Sequence, residues 1–133
     1  MVLPDFTKPF SVAVDASDVA IGATLLQDLE SKDHPVCFFS RKLNTYQKHY
    51  AIVEKEALAL LTAVRVFSVY FGTNPTTVYT DHSLLTFLEK MFNQNQKLLR
   101  WLLELQQYNL NVVGLHRAEK DNLFPDILSR PSQ

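Results

Sequence analysis

Apolar and polar residues alternate over residues 9–15, with Phe10, Val12 and Val14 on one side and Ser11, Ala13 and Asp15 on the other. That period of two predicts a half-buried strand whose last residue is a carboxylate. Residues 20–27 and 35–40 read as two further strands, separated by polar turns. Links this short join antiparallel neighbours, so the first three strands form a meander. Residues 45–70 are nearly free of breakers and apolar at helical period, and Gly72 and Pro75 end that helix. A fourth strand, residues 76–80, is rich in β-branched side chains and closed by Asp81. A short helix is expected over residues 83–91. A second, over 95–106, carries Leu98, Leu99, Trp101, Leu102 and Leu105. Tyr108, Leu110 and Val112 alternate with Asn109 and Asn111 as a fifth strand, and residues 123–129 close the chain as a short helix.

Three antiparallel strands, a helix, then two strands separated by helices describe an α/β domain: a five-stranded mixed sheet with helices on its faces. A right-handed crossover through the long helix lays strand four parallel to strand one. As neighbours, those strands bring Asp15 and Asp81 together at the carboxyl edge of the sheet, where open α/β sheets place ligands.

Composition narrows the class. The chain has 133 residues, 47% of them apolar, enough for one domain with a substantial core and too few for two ordinary ones. No apolar run approaches the roughly 20 residues needed to span a bilayer, so no membrane is expected, and no signal segment opens the chain. Cys37, alone in Val36-Cys37-Phe38-Phe39, has no internal disulfide partner and reads as a buried strand residue rather than a reactive thiol. A cytoplasmic or nuclear setting fits. The net charge of −1 leaves no electrostatic footprint for nucleic acid, so a nucleic-acid function implies that much of the affinity comes from elsewhere.

Four carboxylates, Asp15, Glu56, Asp81 and Asp126, each stand where an apolar run ends or is interrupted. Carboxylates converging away from water call for bound cations. Hard oxygen donors without a Cys or His set select Mg²⁺ or Mn²⁺ over zinc. Two such ions form an apparatus for in-line phosphodiester cleavage. Helical phase separates the glutamates of the long helix. At about 100° per residue, Glu54 gathers with Lys55, Thr62, Arg65 and Ser68, whereas Glu56 falls with Ala59, Leu60, Ala63 and Phe67. Glu56 is therefore the ligand candidate and Glu54 a solvated residue; the plainer alternative for Glu56 is a carboxylate favoured by the helix dipole. Asp121 reads as a cap, Asp126 as lying on the inward side of the last helix, and Asp18 as a turn residue. No histidine pair at i,i+4 suggests zinc. His82 alternates away from Asp81, and His116 is either a proton shuttle or a surface histidine.

The same residues carry a resemblance. In order come Val14-Asp15-Ala16-Ser17, Phe39-Ser40-Arg41-Lys42-Leu43, Glu54-Lys55-Glu56-Ala57-Leu58, Tyr79-Thr80-Asp81-His82, Arg100-Trp101 and Leu128-Ser129-Arg130. Over nearly the whole chain this resembles the ribonuclease H domain of gypsy-type LTR-retrotransposon reverse transcriptases. The resemblance implies the ribonuclease H-like fold with strand order 3-2-1-4-5 and hydrolysis of the RNA strand of RNA–DNA hybrids using two Mg²⁺ ions, which Mn²⁺ can replace. Its acidic set maps onto Asp15, Glu56, Asp81 and Asp126, with Asp15 shared between the ions. It further implies residues 1–8 as linker from the polymerase, 9–130 as the nuclease domain and 131–133 as linker toward integrase. The partner is the polymerase of the same polyprotein, and the setting virus-like particles. Candidate contacts to the hybrid backbone are Arg41, Lys42, Lys97 and Arg100, each equally readable as a solvated charge. Two departures stand out: Phe124-Pro125-Asp126-Ile127 replaces the family's small residue before the last aspartate, and His116-Arg117-Ala118-Glu119 replaces a Pro-Gly turn. Proline is tolerated in a first helical turn. With the near-neutral charge, these departures motivate the alternative of an inactive scaffold or interaction module in a domesticated element.

Overall fold

Strands β1 (Phe10–Ala16), β2 (Ala20–Leu29) and β3 (Lys32–Lys42) form the expected antiparallel meander in a computed structural model that describes residues 3–80 and 96–114. β2 and β3 run longer than their apolar cores because main-chain pairing continues from Ala20↔Lys42 to Leu29↔Lys32, through a register shift between Leu25 and Leu26. The hairpin closes through Glu30 and Ser31, both left-handed at φ 58° and 64°. Two consecutive positive φ values are the demand that Asn-Gly meets best; β-carbons there are strained. Replacing the pair by Asn-Gly should stabilise the domain by about 1–2 kcal/mol, a rise of several degrees in Tm. An unchanged Tm would show that this turn stores no such strain. The hairpin end is also acidic. Burial, and then the facing Asp28 carboxylate, push the Asp33 carboxyl above its usual value, against the pull of His34.

β4 (Thr76–Thr80) lies parallel to β1, with Ala13 opposite Tyr79, and β5 (Leu110–Gly114) lies parallel to β4. The order is β3-β2-β1-β4-β5, as the family resemblance implied, with β4 parallel to β1 as expected for the crossover. Helix α1 (Ile52–Phe71) makes that crossover, and α2 (Gln96–Leu105) lies alongside it. The segments expected to be helical at 83–91 and 123–129, and the linker at 131–133, lie outside the described residues.

α1 begins seven residues later than the apolar period suggested. Asn44 and Gln47 exchange side-chain-to-backbone hydrogen bonds of 3.0 and 2.8 Å, closing a separate 3-10 turn over Gln47–His49. Tyr50 is then extended (ψ 149°), and only after it does the helix start. Gly72, at φ 54°, stops it where a β-carbon would be strained. The core is the α1 stripe of Leu60, Leu61, Val64, Phe67 and Phe71 against Val12, Val14, Leu25 and Val78. The α1 side carrying Lys55 and Thr62 is not solvated: both are about 5% exposed. Thr62 donates to the Leu58 carbonyl (2.8 Å) and accepts from Arg41 Nη2 (3.3 Å), because the end of β3 covers this side. Cys37 is half-buried rather than enclosed; burial raises its thiol pKa although the Tyr70 hydroxyl donates to it.

Two further ties complete the body. Arg65 grips Glu104 with two bonds of 2.6 and 2.7 Å, joining α1 to α2, and this bond holds the Glu104 carboxyl below its usual range. Gln27, fully buried, receives the Asp5 N–H (2.7 Å) and donates to the carbonyls of Asp5 (2.6 Å) and Lys8 (3.0 Å). Phe6 stacks on Tyr70 with ring centroids 6.2 Å apart. The residues just before β1 are therefore clasped to the sheet.

Candidate active site at the carboxyl end of the sheet

Asp15 is the penultimate residue of β1 and half-exposed, and its Oδ1 accepts the Ala16 N–H at 3.0 Å. Pairing aligns it with Gly22 on β2 and, beyond, Ser40 on β3. A depression of about 160 Å³ opens there, lined by Asp15, Ala16, Ser17, Ala20, Ile21, Gly22 and Ser40. Gly22 sits where space is tight: a β-carbon would come to 3.0 Å from the Phe39 carbonyl oxygen, closer than β-carbons usually pack. The turn after Asp15 is held by the Ser17 N–H to the Ala20 carbonyl (2.8 Å) and by the Ser17 hydroxyl, which accepts the Ala20 N–H (3.2 Å).

Glu56 comes from α1 and is 6% exposed, beside Ala59, Leu60 and Ala63, which are fully buried. Its neighbour Lys55 sends Nζ to the Asp18 carbonyl at 3.0 Å, pinning the first turn of α1 to the β1–β2 turn. The Leu43 N–H donates to the Val19 carbonyl at 2.8 Å, bringing the end of β3 to the same turn. Asp15 and Glu56 thus stand at one end of the molecule, with the end of β4 level beside β1. Asp81, His82, His116 and Asp126, and the Lys97 side chain, lie outside the described residues.

The other candidates separate by what they touch. Glu54 is partly exposed, as its helical phase suggested, and its Oε1 receives the Ala51 N–H at 3.0 Å. Asp18 contributes its backbone carbonyl, to Lys55. Arg41 and Lys42 end β3 as exposed residues at the Asp15 end, and Arg100 is exposed on α2. The role of Lys55 as an anchor was not legible in the sequence, since a lysine next to Glu54 reads as surface. Gly22 was detectable in principle, because a lone glycine inside a strand pattern marks close backbone approach.

Two carboxylates, one of them almost wholly withdrawn from water, are hard oxygen donors of the kind that divalent cations such as Mg²⁺ prefer. Among the described residues no three His, Cys, Asp or Glu side chains come together; the remaining two acidic candidates fall outside them. None of the described helices is long and apolar enough to cross a membrane.

Residues 5–108 match the family described as the RNase H-like domain found in reverse transcriptase. The chain is 40% identical over 131 residues to the retrovirus-related Pol polyprotein from transposon opus of Drosophila melanogaster, covering 98% of this chain and 13% of that protein. Over 127 residues it is 39% identical to the Pol polyprotein from transposon 412 of the same fly, and over 131 residues 34% identical to the transposon Tf2-3 polyprotein of Schizosaccharomyces pombe. It spans about a tenth of the length of these two relatives as well. The fold is shared with the foamy viral protease-reverse transcriptase solved with an RNA/DNA hybrid (TM-score 0.67, 16% identity, 97% of this chain and 17% of that one). It is also shared with LC11-RNase H1 solved with an RNA/DNA hybrid (TM-score 0.59, 15% identity, 90% of this chain and 96% of that one).

Proposed function

Because the chain belongs to the RNase H-like domain family found in reverse transcriptases, with gypsy-type Pol polyproteins among its relatives, we propose that it hydrolyses the RNA strand of RNA–DNA hybrids with two bound Mg²⁺ or Mn²⁺ ions. The observation that carries the reading is the placement of half-exposed Asp15 and buried Glu56 at one end of the sheet, tied there by Lys55 and the turn after β1.

In this reading Asp15, Glu56, Asp81 and Asp126 would together hold the metal ions. When bound, the ions supply Lewis acidity that activates water and offsets charge on the leaving 3′ oxygen. The chain's own residues do the rest. The apolar neighbours of Glu56 exclude water and keep its carboxylate in one orientation. Gly22 leaves the face beside Asp15 open to a strand of the substrate. Arg41, Lys42, Lys97 and Arg100 contact backbone phosphates, and RNA is chosen through its 2′-hydroxyls in the wide minor groove. His116 is a candidate to carry a proton away. The domain acts beside a polymerase in one polyprotein, in cytoplasmic particles or the nucleus.

The test is cleavage of a labelled hybrid by the purified chain, with DNA duplex as control. RNA should be cut only with Mg²⁺ or Mn²⁺ present, and DNA left intact. The same ions should raise Tm, since occupancy at ten to a hundred times Kd stabilises by about 1.4–2.7 kcal/mol. Absence of both cleavage and thermal shift at millimolar Mn²⁺ would overturn the proposal in favour of a non-catalytic scaffold.

A further inference from the structure

The net charge of −1 conceals an uneven distribution. Asp28, Glu30 and Asp33 outnumber Lys32 at the β2–β3 hairpin end, whereas exposed Arg41, Lys42, Lys48 and His49 follow one another along the end of β3 and the connection into α1 with no acidic residue among them. Tyr46 stands among these cations and is 84% exposed. Its neighbour Tyr50 is placed oppositely, half-buried with its ring edge-on to Trp101 at 6.1 Å. The exposure of Tyr46 is built in. The Asn44–Gln47 exchange closes the turn around it, and the Lys48 N–H to Asn44 carbonyl (3.0 Å) and His49 N–H to Tyr46 carbonyl (3.1 Å) bonds fix its backbone. The turn joins the end of β3 to the start of α1, and both are pinned to the loop that follows Asp15.

An aromatic ring so exposed contributes little to the fold, and a pre-ordered turn lets it be buried in a partner at small entropic cost. Rings interleaved with Lys and Arg form the surface that tracks a nucleic-acid backbone, the cations meeting phosphates and the ring covering a sugar or base face. Resting on the hybrid-nuclease reading above, we propose that Tyr46 is a direct binding contact for the hybrid, its ring packing on the backbone sugars beside the phosphates met by Lys42 and Lys48. In an intact duplex the base faces are already stacked, so the sugars are the apolar surface available to it. The site therefore extends from Asp15 and Glu56 outward along the 41–49 connection.

The ring and the cations have different signatures. A phosphate contact contributes to the salt dependence of binding, about 0.9 in log–log slope on duplex DNA, and an uncharged ring contributes none. Hybrid binding is measured by fluorescence anisotropy in Ca²⁺ across a salt series, and cleavage kinetics in Mg²⁺. Tyr46→Ala should weaken binding about five- to tenfold and raise KM to match, with kcat, Tm and salt slope unchanged. Tyr46→Phe should stay within about twofold of wild type because the ring remains. Lys48→Gln should weaken binding and lower the slope by nearly one. Wild-type affinity in Tyr46→Ala, or a slope change equal to that of Lys48→Gln, would overturn the assignment of Tyr46 while leaving the nuclease reading intact. Absence of hybrid binding by the wild type would overturn both, and would turn attention to an acidic protein partner for the same surface.

Discussion

Asp15→Asn and Glu56→Gln are each expected to lower hybrid cleavage at least about a thousandfold, a loss of roughly 4 kcal/mol of transition-state stabilisation. Both substitutions keep size and hydrogen-bonding capacity while removing the charge that holds a divalent ion. The circular dichroism spectrum should stay native. The metal-induced rise in Tm should disappear in both. Glu54→Gln is the internal control. Its carboxylate receives the Ala51 N–H at 3.0 Å, so the change trims a helix-end interaction, costs about 0.5–1 kcal/mol of stability and leaves most activity. An active Glu56→Gln beside a dead Glu54→Gln would reverse the assignment of the two glutamates.

Gln27→Leu should destabilise the domain by about 2–3 kcal/mol, or roughly 6–12 °C in Tm. The side chain is fully buried and makes three hydrogen bonds to the backbone of Asp5 and Lys8. Leucine fills similar volume but leaves those groups to find water, and Phe6 then loses the anchored backbone that lays it on Tyr70. Denaturant unfolding measures the loss, and hydrogen exchange locates it: the Asp5 amide, protected in the wild type, should exchange rapidly in the variant. An unchanged midpoint would mean that residues 5–8 are not held to the sheet in solution. Sequence pattern alone makes the segment ahead of β1 a linker. A glutamine in an apolar strand gave no sign of what it grips, because its partners are backbone groups about twenty residues away.

Much of the architecture is visible in local pattern. Period-two alternation specified β1, β-branched content specified β4, and the breakers Gly72 and Pro75 bounded α1. Short links and the handedness of the crossover then left few topologies, and β3-β2-β1-β4-β5 is the one adopted. Helical phase also placed Glu56 on the buried side and left Glu54 partly exposed, since burial follows from which side of a helix meets the sheet. Phase failed for Lys55 and Thr62. Polarity there does not mean solvent, because a loop carbonyl and the end of a neighbouring strand reach that side of the helix.

The sequence by itself therefore determined the order of the strands and of the two described helices, the family, and the acidic residues to suspect, because each depends on periodicity or short motifs. Tertiary structure decided the rest: Lys55 on the Asp18 carbonyl, Gln27 on Asp5 and Lys8, Gly22 making room under Phe39, and Tyr46 outward where Tyr50 turns inward. Each of these joins or displays groups distant in the chain or alike in kind. Amino-acid type states what a side chain can bond to or exclude, and only the folded chain states which partner arrives.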